Sequence, residues 1–84
     1  MTSFNINNYN NEQITIIEDI IEKCENNSLP LHLLFEKADN ENDKELLKKI
    51  YDIDIFRDYC NHHYNLTKSV FDYPNWKSII ELKN

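Results

Sequence analysis

Apolar side chains recur along this chain at helical spacing, in short runs separated by polar breaks. Ile14, Ile17, Ile21 and Cys24 lie 3, 4 and 3 residues apart, with Ile20 beside them. This spacing puts them on one face of a helix, and Glu18, Glu22 and Glu25 share another face and keep it solvated. Gln13–Ile17 alone also reads as extended, because Ile and Thr favour strands. The helical period persists along the whole segment and decides for helix. Asn10 or Asn11 supplies the cap, and Asn26-Asn27-Ser28 ends the run.

A second stripe follows at Leu31, Leu34, Phe35 and Ala38. Ser28 is its expected N-cap, with Pro30 tolerated in the first turn. Asp39–Asn42 is a polar break. Asn42-Asp43-Lys44-Glu45 has the capping-box form and predicts a third helix bearing Leu46, Leu47, Ile50 and Ile53. Asp52 or Asp54 caps a fourth helix with Ile55, Phe56, Tyr59, Cys60 and His63, or this segment simply continues the third. Asn65 or Thr67 is expected to open a short segment with Leu66, Val70 and Phe71. Asp72-Tyr73-Pro74 reads as a turn with Pro74 starting the last helix, where Trp76, Ile79 and Ile80 share a face. The pattern predicts an all-α fold: one compact domain of about five short helices over residues 11–84. Residues 1–10 precede it as an irregular arm, pinned by Phe4, Ile6 or Tyr9.

Composition sharpens this picture mostly by exclusion. The chain has 84 residues and no glycine. Phosphate-cradling loops need glycine so that backbone N–H groups can approach the anion. Walker-type loops, dinucleotide fingerprints and serine nucleophile elbows are therefore absent. Tight two-residue hairpins also lean on glycine, which weighs against a β fold. Asn and Ile are abundant while Ala and Arg each occur once, the bias of an AT-rich genome. The Asn-rich start is read as codon drift and not as a binding tract.

The net charge is −6, and residues 1–28 hold five acids against one lysine. No basic stripe exists to neutralise phosphates, so direct nucleic-acid binding is not expected. No stretch approaches the length of a bilayer span, and the opening residues lack a basic-then-apolar signal. A cytoplasmic protein with Cys24 and Cys60 as reduced thiols is the expectation.

Candidate chemistry is thin. Asp39-Asn40-Glu41-Asn42-Asp43 alternates oxygen side chains like the start of a calcium loop. Lys44 and Ile50 stand where such a loop needs its glycine and its bidentate glutamate. Cys24, His32, Cys60, His62 and His63 contain potential zinc ligands, but without a paired C-x-x-C spacing. Cys60 and His63 share a helical face as a thiol–imidazole pair, with no orienting acid in evidence. None of the fifteen acids is obviously placed on an apolar face. No catalytic residue, cofactor or metal is therefore expected, and the chain does not read as an enzyme.

Ten aromatics are many for so small a core. Trp76 is expected inside, with Tyr64 or Tyr73 left to anchor an interface. The functional expectation is an acidic protein-binding module that inhibits or modulates a partner by covering its basic surface. Glu18, Glu22, Glu25, Asp39, Glu41 and Asp43 would steer the encounter, with Tyr64 and Tyr73 in the contact. The alternatives are a self-associating structural subunit forming a homodimer, a nucleic-acid-mimicking antagonist, and a small Cys/His metal-binding protein.

Overall fold

A computed structural model describes residues 6–67 and 73–83. After a 3-10 turn at Ile6–Asn8, five helices follow: α1 (Asn11–Asn27), α2 (Leu31–Asn40), α3 (Lys44–Asp52), α4 (Asp54–Thr67) and α5 (Pro74–Lys83). There is no strand among the described residues. The all-α class follows from the stripes described above.

Each boundary has a local cause. Asn10 caps α1: its Oδ1 accepts from the Gln13 N–H at 2.8 Å, and Gln13 Oε1 accepts from the Asn10 N–H at 3.0 Å. This is a complete capping box. At the other end the chain turns left-handed at Ser28, with φ 54°. The Leu29 N–H then reaches the Cys24 carbonyl at 2.9 Å. A glycine ordinarily supplies that geometry. Ser28 is thus the C-cap of α1 and not the N-cap of α2. The cap of α2 is Pro30, whose carbonyl accepts from Leu33 and Leu34.

The next boundary corrects a second expectation. Asn42 takes the other positive φ among the described residues, 57°, so it closes the turn after α2 and does not cap α3. Asp43 is the cap, accepting from the Leu46 N–H at 3.2 Å. The anticipated capping box is shifted by one residue, which takes Glu45 out of its reciprocal position. Asparagine tolerates the left-handed region because its short polar side chain bonds locally.

α3 and α4 are separate helices. Ile53 breaks them with extended dihedrals while staying fully buried, and Asp54 opens α4 by accepting from the Ile55 N–H at 2.8 Å. α4 then runs through Thr67, so Asn65, Leu66 and Thr67 belong to it and start no new segment. Val70, Phe71 and Asp72 lie outside the described residues, as does Phe4. The arm is pinned by Tyr9, whose hydroxyl donates to Asp54 Oδ1 at 2.6 Å. That carboxylate pushes the Tyr9 phenol up to about 12.

α3 occupies the centre and packs against the other four helices. Leu47 and Ile50 are fully buried on it, among Ile20, Phe35, Ala38, Cys60, Trp76 and Ile79 from its neighbours. Trp76 fills the core as expected. Its ring meets Phe35 edge-on with centroids 5.0 Å apart, and its Nε1 donates to Asn61 Oδ1 at 2.7 Å. The indole is therefore buried without an orphaned donor. No described helix is long and apolar enough to cross a membrane.

Candidate functional site

α1 turns Ile17 and Ile20 inward and presents Glu18, Glu22 and Glu25 outward. These three glutamates lie within one narrow arc of the helix, because they sit at spacings of four and three. Ile21, 44% exposed, lies beside them on the same outer side. No ion pair from another described residue reaches Glu18, Glu22 or Glu25. Their neighbour Asp19 differs: it sits between Lys49 at 3.2 Å and Lys23 at 3.8 Å. The helix thus separates a neutralised edge from an unneutralised ridge.

The remaining predicted acids divide. Glu41 is exposed and pairs with Lys37 at 3.4 Å, one turn back on the same helix. Asp43 is exposed but occupied as the α3 cap. Asp39 corrects the expectation of a steering charge, since it is only 2% exposed. Its Oδ2 accepts from the Trp76 N–H at 2.8 Å, and its carbonyl accepts from Asn75 Nδ2 at 2.7 Å. The carboxylate therefore caps the first turn of α5 from across the core. An anion is favoured there because the first N–H groups of a helix lack partners within it. Asp39 follows Phe35 by four residues, so it lies on the buried side of α2.

Tyr73 also departs from expectation. It is 2% exposed and offers no interface contact. Its ring packs 5.1 Å from Phe35, and its hydroxyl donates to Glu36 Oε2 at 2.5 Å. Tyr64 remains half-buried, its ring 5.6 Å from Tyr73. It lines an open groove of about 420 Å³ between α4 and α5, with Asn61, Asn65, Lys77, Ile80 and Glu81.

The structure assembles a polar network that sequence reasoning missed. Glu36 Oε2 receives both Tyr73 and His63, the latter at 3.1 Å. The His32 ring lies 5.2 Å from that of His63, and its Nδ1 is 3.2 Å from the Tyr59 hydroxyl. Burial alone pushes the Glu36 carboxyl up. The hydrogen bonds from Tyr73 and His63, with the nearby imidazoles, outweigh it and hold the group below the usual glutamate range. The network ties α2 to α4 and to the residue before α5. Two sequence signals bear on it: His32 and Glu36 are four apart, as are Tyr59 and His63. They become meaningful only once α2 is known to face α4.

The cysteines are free thiols. Cys60 is fully buried, and burial, followed by the nearby Cys24, pushes its thiol up to about 12. That is the opposite of nucleophile activation. His63 turns to Glu36 and the Tyr73 hydroxyl. Among the described residues, no group of three or more His, Cys, Asp or Glu side chains is arranged to hold a metal ion.

No protein family, curated protein or solved structure matches this chain.

Proposed function

We propose that this protein is a small acidic binding module that occludes a basic surface of a partner protein with the outer face of α1. The observation behind this reading is the ridge of Glu18, Glu22 and Glu25, unpaired within the described residues and set beside the exposed Ile21. Unpaired like charges on one helix edge repel each other by a few tenths of a kcal/mol per pair. A basic partner removes that repulsion and gains charge-assisted contacts. Ile21 supplies apolar area along one edge of the ridge. Long-range attraction speeds the encounter, so association should slow as salt screens it.

With Asp39 and Tyr73 buried, the main exposed acids of the candidate surface gather on one helix. Glu41 and Asp43, partly occupied by Lys37 and the α3 backbone, are secondary. Tyr64, in the groove between α4 and α5, lies on a different side of the fold.

The test compares wild-type protein with the triple variant Glu18→Gln, Glu22→Gln, Glu25→Gln. Both are immobilised and exposed to lysate of the source cell between about 50 and 500 mM salt. A partner held by wild type at low salt, released as salt rises, and lost by the folded triple variant is the expected result. Retention of the same partner by the triple variant, or no partner at any salt, overturns the reading.

A further inference from the structure

α4 is apolar on two sides. Phe56, Cys60 and Tyr64 face the core cluster. On the outer side Ile55 is 43% exposed, Tyr59 48% and Leu66 68%, with the exposed His62 between the last two. These four residues lie 4, 3 and 4 apart, which aligns them in one seam about 16 Å long. It has the spacing by which one helix packs along another. Among the described residues the other large exposed apolar side chains, Ile21, Leu33 and Leu82, sit singly on α1, α2 and α5. Scattered singles are ordinary, whereas a continuous seam along one helix marks a contact surface.

We infer that this seam pairs with the same seam of a second copy of the chain, α4 against α4, antiparallel about a two-fold axis. The spacing 4, 3, 4 reads the same from either end. An antiparallel pairing centred between Tyr59 and His62 therefore sets Ile55 against the partner's Leu66. It sets Tyr59 against the partner's His62. Apolar meets apolar at both ends, and a phenol meets an imidazole in the middle. The surface is complementary to itself, as a two-fold interface requires. The flanks agree: Asp58 and Asn65 border the same edge of the seam, seven residues apart. In the antiparallel register Asp58 faces the partner's Asn65, so carboxylate meets amide. No lysine or arginine of α4 lies on this seam, so no fixed positive charge there calls for an acidic partner. The seam and the α1 ridge belong to different helices, so either can hold without the other. A dimer would present two α1 ridges at once and gain avidity on a repetitive basic target.

Salt separates the two surfaces. Each copy carries a net charge of −6, so screening should strengthen self-association while it weakens docking of the α1 ridge.

The test is sedimentation velocity of the full chain at roughly 10 to 500 μM, where interfaces of one helix pair associate. The wild type should rise with concentration from monomer towards twice the monomer mass, and do so further at high salt. Leu66→Glu, or Ile55→Lys, each confirmed helical by circular dichroism, should stay monomeric throughout. Leu66→Ser adds no charge and should weaken the dimer at least several-fold without affecting folding. The double variant Ile55→Lys, Leu66→Glu should regain dimer at low salt, because the antiparallel register sets each lysine against the partner's glutamate. A wild type that is monomeric at every concentration overturns the inference. So does a dimer indifferent to Leu66→Glu and Leu66→Ser, and a folded double variant that stays monomeric.

Discussion

α1 and α4 pack against the same central helix, α3, and turn opposite characters to solvent. Inward, Ile17 and Ile20 of α1 correspond to Phe56 and Cys60 of α4. Outward, α1 shows a row of glutamates with a single isoleucine beside it, and α4 shows an apolar seam. Burial therefore explains the inner faces of both helices and the outer face of neither. A charged outer face keeps a helix solvated and free, whereas an apolar one leaves area that only another surface can cover. The contrast suggests two modes of contact in one small domain: electrostatic on α1 and hydrophobic on α4.

The sharpest way to break the comparison uses adjacent residues of α1. Ile20→Ala removes a fully buried side chain and should cost about 2–5 kcal/mol in urea unfolding. Ile21→Ala, one position on, should stay within about 0.5 kcal/mol. Equal losses at the two positions would mean that the outer side of α1 is not a free surface.

Acids give a smaller contrast of the same kind. Asp39→Ala leaves the buried Trp76 N–H without its partner and should cost about 1.5–3 kcal/mol. Glu22→Ala, on the exposed ridge, should change stability by no more than about 0.5 kcal/mol. If Glu22 proved as costly as Asp39, the ridge would be structural and unavailable to a partner.

The smallest effect is in pH. The folded Glu36 carboxyl lies below the usual glutamate range, so it titrates lower in the folded than in the unfolded chain. Its stabilisation is complete above the ordinary glutamate value. It is lost as pH falls through the lowered folded value, because the unfolded state then binds the proton more readily. The urea midpoint should decline as pH drops from about 6 to about 3, and Glu36→Gln should make that decline shallower. Glu22→Gln, on the α1 ridge, should leave the slope as it is. A slope that responds to Glu22 and not to Glu36 would reverse the assignment of structural and surface acids.

How much of this was legible beforehand depended on how far each signal reaches along the chain. Helices α1, α2 and α3 and the Pro74 start of α5 could be read from stripes and caps within a few residues. The caps went wrong where a turn had to be left-handed without glycine. Ser28 and Asn42 look like N-caps by residue type, but the chain needs them to close the helices before. The glutamate ridge was legible on α1 from the helical stripe, but Ile21, which the spacing sets with Ile17 and Cys24 on the apolar stripe, is 44% exposed and joins the ridge's side. The candidate surface was not legible at Asp39 and Tyr73. Their burial depends on α5 and α2 meeting across 33 intervening residues of chain. The α4 seam is not legible in the sequence either. The stripe sets Ile55 and Tyr59 with the core-facing Phe56 and Cys60, because apolar character alone points a side chain inward and only a neighbouring helix shows which side is already full.

The sequence by itself determined a glycine-free, acidic, all-helical chain, and with it the exclusion of phosphate-loop chemistry. Those properties are local: they follow from side-chain type and from spacing within one or two turns. Only the tertiary structure decided which acids are charges for solvent and which are interior fasteners. Glu22 and Asp39 have the same chemistry, but one lies on an unpacked helix face and the other under the first turn of α5. That difference is set by which helices pack together, through contacts between residues far apart in the chain. For the same reason only the fold could show that the two outer faces of α1 and α4 are left over after the core is built.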